Sequence, residues 1–227
     1  MTSETAIQTG PLQVVAMLGS WPEIGRSKTR LAAAIGGAGA NQVYRRLLRH
    51  CADAARRACS LPNRKPLFFV DPPERVKVMQ EWLGGDQVVL PQDGGDPGRR
   101  MRAAADRAFD LGAQAVVIMG SDCPRLTPER IERAFEALAS QKVVIGPAHD
   151  GGFYLLGLTE RIPALFRPMQ WHSDRVVERT RTRCRRLGIE PAELETLHAV
   201  DGVEDLTDEV LERIGLTRAE LAQEPVI

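Results

Sequence analysis

The feature that most constrains this chain is its alternation of short, continuously apolar, β-rich runs with longer stretches of helical periodicity. Strands are expected at 12–18 (LQVVAML), 66–70 (PLFFV), 87–90 (QVVL), 115–120 (AVVIMG), 142–148 (KVVIGPA) and 152–158 (GFYLLGL). Between and after them, helices are expected at about 40–58, 73–83, 99–111, 127–139, 173–187 and 204–214. Strands that are apolar throughout, rather than alternating, have both faces covered. The pattern as a whole predicts an α/β fold with a largely parallel sheet between helical layers. Leu-Thr-Pro-Glu at 126–129 marks one helix start, with Thr127 as N-cap and Pro128 in the first helical position. The runs at 142–158 are close enough to form a hairpin, which adds an antiparallel element. The last dozen residues read as a peripheral arm and residues 1–11 as a flexible N-terminus.

At 227 residues, the chain reads as one domain with one core. Lys plus Arg and Asp plus Glu balance at 30 each. Such a chain has no global field for nucleic acid or anionic lipid, so any affinity for phosphate has to be local. Cys51, Cys59, Cys123 and Cys184 form no C-x-x-C pair, which suits a reduced, cytoplasmic setting. The polar start MTSETAIQTG has no charged and apolar leader. No apolar run reaches the roughly 20 residues of a membrane span. The sequence does not specify an oligomeric state.

Chemistry concentrates where the expected strands end. After the first comes GSWPEIGRSKTRL (19–31), which crowds Arg26, Lys28 and Arg30 into a turn leading toward a helix. Backbone N–H groups converge in such loops and basic side chains close over an anion, although both the Walker and the G-x-G-x-x-G spacings are absent. The fourth strand ends AVVIMGSDCP, which sets Asp122 at its carboxyl edge. A carboxylate leaving a buried strand needs a partner or a cation, and Mg²⁺ is held by one or two carboxylates together with substrate phosphates. A second carboxylate, Asp201, ends a short β-like run in HAVDGVEDL, whereas Asp205 reads as a capping or helix-surface residue. With oxygen ligands and no His/Cys cluster, the expected cofactor is Mg²⁺ or Mn²⁺ rather than zinc. Gly94, Gly95, Gly98 and Arg100 in QDGGDPGRRM offer backbone that a flat base could approach. Asp150, Gly151 and Gly152 fall in the hairpin connection, where Asp-Gly is also an ordinary turn sequence.

Taken in order, these segments resemble bacterial transferases of the nucleotide-diphospho-sugar transferase fold. Those proteins are often described as glycosyltransferases and in some genomes are linked to arsenosugar biosynthesis. The resemblance runs through Pro22 to Leu31, Gln92 to Met101, Gly120 to Pro124, Gly146 to Phe153, Trp171, and Asp201 to Leu206. It implies a three-layer, GT-A-like fold. Lys28, Arg30 and Asp122 would be catalytic, and Arg26, Lys28, Arg30, Gly94, Gly95, Gly98 and Arg100 would bind nucleotide and phosphate. An acceptor or hairpin site would comprise Asp150, Gly151, Gly152 and Trp171, and a metal site Asp122 and Asp201. The chain departs from the pattern at Ser20-Trp21, at Pro97 and at Gly202-Val203. The Lys-Thr-Arg-Leu loop is also similar to that of guanylyltransferases of deazaflavin-cofactor synthesis.

The expected activity is therefore transfer from a nucleotide-activated donor to a small-molecule acceptor, with glycosyl transfer ahead of nucleotidyl transfer. A nucleotide-binding module without turnover is the remaining alternative. Neither nucleic acid nor membrane insertion is expected.

Overall fold

The computed structural model describes residues 10–222. Seven strands form one sheet in the order β3-β2-β1-β4-β6-β5-β7: β1 (Gln13–Ser20), β2 (Arg64–Asp71), β3 (Val89–Pro91), β4 (Ala115–Met119), β5 (Val143–Pro147), β6 (Phe153–Leu158) and β7 (Ala192–Glu193). β1 pairs parallel with both β2 and β4, and β2 pairs parallel with β3. β6 runs antiparallel to β4 and β5, as the hairpin reading requires. All six expected strands form. The two-residue edge strand β7 is additional, and it is too short to leave an apolar signature in sequence.

The helices are α1 (Thr29–Ala58), α2 (Val76–Leu83), α3 (Pro97–Asp110), α4 (Pro128–Leu138), α5 (Val176–Arg186), α6 (Asp208–Arg213) and α7 (Arg218–Ala222). Successive strand residues serve opposite faces of the sheet, as the pleat demands. Val15, Met17, Val117 and Met119 join a core with Leu48 and Cys51 of α1, Met79 of α2 and Phe135 of α4. Val14, Ala16, Val116 and Ile118 join one with Ala104 and Ala108 of α3 and Val177 and Cys184 of α5. These are the three layers, and each buried Leu, Phe or Met in them contributes about 1.5–3 kcal/mol.

Three expectations change. α1 begins at Thr29 rather than near residue 40, because the Gly-rich stretch after Ile35 continues the helix across a kink at Gly36 (φ 78°, ψ 157°). The run ending at Asp201 is no strand. It makes one bridge, Ala148 to Leu197, and Val200 N–H donates to Asp122 O at 2.9 Å. The chain after Leu216 is not an arm as far as the described residues go. Leu216 is buried with Leu31, Val43 and Leu47 of α1 and Leu211 of α6, and Leu221 packs on them. Of the expected flexible N-terminus, residues 1–9 lie outside the described part, and Pro11 O accepts a hydrogen bond from Asn63 Nδ2 at 3.1 Å. Thr127 and Pro128 occupy the expected positions at the start of α4, but the Thr127 hydroxyl makes no capping bond to the helix backbone. Among the described residues, no helix is long and apolar enough to cross a membrane.

Candidate functional site

Because β1 and β4 are parallel neighbours, with Met17 opposite Met119, the loops that follow them leave one edge of the sheet. β6 begins at that edge and runs in the opposite sense, and Gly120 N–H donates to Tyr154 O at 3.4 Å. Between these ends lies a cleft of about 520 Å³. Arg26, Lys28, Arg30, Arg100, Asp122 and Asp201 all line it.

Lys28 is the best-defined cation. It occupies the N-cap position of α1 in the left-handed region (φ 54°, ψ 47°), a conformation uncommon for a residue with a side chain. Its ammonium lies 2.8 Å from Asp122 Oδ2 and donates to Val200 O at 2.6 Å. The Lys28 side chain is only 7% exposed, whereas Asp122 is 46% exposed and faces the cleft. An ammonium so far out of water needs both partners. The second pair, Arg30 and Asp201 at 2.6 Å, is open to solvent at 76% and 51% exposure. The hydrogen bond from Arg30 to Asp201, followed by the charge of Asp201, raises the Arg30 pKa. The Asp205 carboxylate accepts from the backbone N–H groups of Asp201 (2.8 Å) and Gly202 (2.9 Å), a capping role that fixes the Asp201 turn.

Two further residues line the cleft, Tyr44 and, at the head of the Gln92 to Met101 segment, Gln92. Tyr44 of α1 is buried, and its Oη accepts from Ser20 N–H at 2.8 Å and lies 3.2 Å from both Ser20 O and Ser121 Oγ. Ser121 Oγ in turn donates to Asp122 Oδ1 at 3.2 Å. The ends of β1 and β4 are thereby joined, and Asp122 is held from the side opposite Lys28. Burial, then the charge of Asp122, pushes the Tyr44 phenol up to about 12, so it stays neutral and keeps its proton for this network. Gln92 is also buried, and its Nε2 donates to Gly19 O (2.7 Å) and Phe69 O (3.0 Å), tying β1 to β2. A tyrosine in a helical run carries no distinguishing pattern, whereas Gln92 opens a segment that carries the resemblance. Only the fold reveals what they join.

The other site candidates do not line this cleft. Gly98 gives up its side chain to Trp171: a Cβ there would fall 2.2 Å from the indole and 2.8 Å from Phe166 O. Close packing against Trp171 by itself requires a glycine at this position. Gly95 (φ 112°) forms a turn whose carbonyl accepts from Arg100 Nε at 3.1 Å, and a Cβ on Gly94 would meet nothing within 4 Å. Asp150, Gly151 and Gly152 make the hairpin turn itself. Asp150 Oδ1 accepts from Gly152 N–H at 2.8 Å, and Gly151 (φ 84°) sits where a Cβ would fall 2.0 Å from Asp174 O.

Among the described residues, no cluster of three His, Cys, Asp or Glu side chains could hold a metal by itself. Asp122 and Asp201 face one cleft and could supply two oxygen ligands, provided that substrate phosphates complete the shell. Ser27 Oγ, also in the cleft lining, is buried without a hydrogen-bond partner, and a phosphate oxygen is a group that would satisfy it.

Residues 41–173 match the family described as uncharacterized protein conserved in bacteria (DUF2064), and the chain belongs to that family. It is 30% identical to a protein of known crystal structure from Desulfovibrio desulfuricans G20, provisionally described as a nucleotide-diphospho-sugar transferase. That likeness has a TM-score of 0.76 and covers 84% of this chain and 83% of that one. A CMP:2-keto-3-deoxy-manno-octonic acid synthetase complexed with CTP is similar at TM-score 0.55 and 11% identity, covering 86% of this chain and 95% of that one. Rv0371c from Mycobacterium tuberculosis H37Rv, complexed with manganese, is similar at TM-score 0.50 and 16% identity, covering 90% and 97%. The last two show the fold alone. No curated protein matches the chain. The fold is thus that of the nucleotide-diphospho-sugar transferases, as the motif order implied, and its neighbours are nucleotide-using transferases.

Proposed function

We propose that the protein is a transferase that holds the diphosphate of a nucleotide-activated donor between its basic loop and Asp122, and passes the donor's group to a small-molecule acceptor. The observation that carries this reading is the 2.8 Å approach of the buried Lys28 ammonium to Asp122 across the ends of β1 and β4. A fixed cation beside a carboxylate open to the cleft suits a group that arrives as an anion and leaves more negative. The start of α1 adds backbone N–H groups to the same corner. Asp122 and Asp201 would hold Mg²⁺ or Mn²⁺, which would supply charge neutralisation on the departing diphosphate. The manganese complex of Rv0371c supports that choice. The reaction belongs to a reduced, cytoplasmic setting, consistent with four free thiols.

In this reading the transfer is glycosyl. An acceptor hydroxyl attacks the sugar carbon and releases its proton to solvent, and the bond from that carbon to the phosphate oxygen breaks. The electron pair passes to a nucleoside diphosphate facing Lys28, Arg30 and Ser27. The likeness to the Desulfovibrio protein and the ordered motifs support it. Nucleotidyl transfer is the second reading, favoured by the three cations Arg26, Lys28 and Arg30 grouped where the loop enters α1, a grip suited to a triphosphate tail. There an acceptor phosphate attacks the α-phosphorus and pyrophosphate leaves.

A panel of sugar nucleotides and nucleoside triphosphates, with Mg²⁺ or Mn²⁺ and candidate acceptors, tests both. Release of nucleoside diphosphate supports glycosyl transfer, and release of pyrophosphate supports nucleotidyl transfer. Failure of any nucleotide to bind with metal present contradicts the whole reading.

A further inference from the structure

The four cations that line the cleft are matched by a second group of four elsewhere on the molecule. Along α5, Arg175 just before the helix and Arg179, Arg183 and Arg186 within it recur every three or four residues, so they share one face. With the segment at Pro168 and Met169 they enclose a groove of about 350 Å³, in which these four arginines meet a single acidic residue, Glu178. None of the groove's residues lines the Lys28–Asp122 cleft.

The groove arginines differ from several others on the surface in their partners. On the other side of the same helix, Arg181 makes a two-pronged ion pair with Glu193, at 2.6 Å for each bond. Arg130, Arg161, Arg213 and Arg218 are likewise paired with carboxylates. Among the described residues, no carboxylate pairs with any of the four groove arginines, nor with the adjacent Arg167. Arg183 donates instead to the carbonyl oxygens of Leu165 (2.7 Å), Arg167 (2.9 Å) and Pro168 (3.1 Å), which pins the guanidinium but leaves its charge uncompensated. Burial lowers its pKa, and the charges of Arg167, Arg179 and Arg186 lower it further. Like charges one turn apart on a helix destabilise it unless something of opposite sign lies between them.

We propose that this groove is a second anion site, separate from the cleft, which takes the phosphate or diphosphate group of a soluble small molecule. Guanidinium forks converging on one concavity match phosphate oxygens two at a time. The volume lies at the lower end of the range for small-molecule sites. Nucleic acid would need a basic track longer than one helix, on a chain whose total charge is zero.

The test is calorimetry on the full chain with inorganic pyrophosphate as the probe and EDTA present, so that metal-assisted binding in the cleft is suppressed. Lys28→Ala should keep one pyrophosphate site, while Arg179→Gln/Arg186→Gln should weaken that site roughly tenfold or more, through loss of charged hydrogen bonds. Arg179→Lys/Arg186→Lys should recover part of the affinity, and an unchanged thermal midpoint in both doubles would show that the fold survives. Equal affinity of wild type and the Gln double would overturn the proposal. So would loss of all binding in Lys28→Ala, which would place the anion in the cleft. Retention on phosphatidylglycerol vesicles or on duplex DNA without pyrophosphate binding would also overturn it, in favour of an extended surface. None of these outcomes depends on which transfer reaction the cleft performs.

Discussion

The cleft holds two ion pairs whose contacts are almost equally short and whose surroundings are opposite. At the inner end, Lys28 is nearly buried and reaches Asp122 and a backbone carbonyl. At the outer end, Arg30 and Asp201 meet in open solvent. Distance alone would rank the outer pair first, at 2.6 Å against 2.8 Å. Solvent reverses that order. An exposed pair is screened and contributes about 0–1 kcal/mol, whereas removing one member of a desolvated pair strands the other. The inner pair is fixed before a ligand arrives, and preorganisation is what stabilises charge in a transition state.

If that contrast is right, the largest effect belongs to Lys28. Lys28→Ala should lower turnover by ~100-fold or more, since it removes a fixed cation from the departing diphosphate. It should cost little stability, because the abandoned Asp122 is already half exposed and can be hydrated. Steady-state rates with the donor identified by the product panel measure the first effect, and a thermal melt the second. Asp122→Ala should show the converse bias. It leaves a nearly buried ammonium with only Val200 O, at a cost of about 2 kcal/mol, so its denaturation midpoint should fall further than that of Lys28→Ala. Equal midpoints would mean that the burial asymmetry has no energetic meaning.

Tyr44→Phe should come next, at about 1 kcal/mol for hydrogen bonds lost in a buried site. It touches neither partner of the ion pair. A drop in nucleotide-dependent metal affinity larger than this stability loss explains would show that the hydroxyl network aims Asp122. Arg30→Ala should have the smallest effect on folding, and that effect should vanish as salt is raised. A salt-independent loss in a denaturant melt would show the outer pair to be more than a surface contact.

These contrasts also show what could be read before the fold was known. β1, β4 and the hairpin were legible because strands covered on both faces leave unbroken apolar runs. The first loop and Asp122 were legible because parallel strands deliver their loops to one edge. Burial of Lys28 was not legible. It depends on Val200, 172 positions away, folding over the loop. The packing of the glycines was not legible for a related reason. The small size of Gly98 and Gly151 admits Trp171 and the Asp174 carbonyl, and no local pattern names those partners. Periodicity did not show the early start of α1, since glycine-rich helix and glycine-rich loop share a composition until tertiary contacts choose between them. The arginine face of α5 was present in the sequence, but its lack of carboxylate partners is a property of the folded surface.

The most direct test of the inner pair as a nucleotide-diphosphate site is calorimetric titration of Mn²⁺ into wild type and Asp122→Asn, each with and without saturating nucleoside diphosphate. Asparagine keeps the shape and a hydrogen-bonding oxygen while removing the charge. The account predicts that wild type binds Mn²⁺ substantially more tightly when nucleotide is present, and that Asp122→Asn loses most of that enhancement while remaining folded. Equal Mn²⁺ affinity in the two proteins with nucleotide present, or tight binding that ignores the nucleotide, would contradict it.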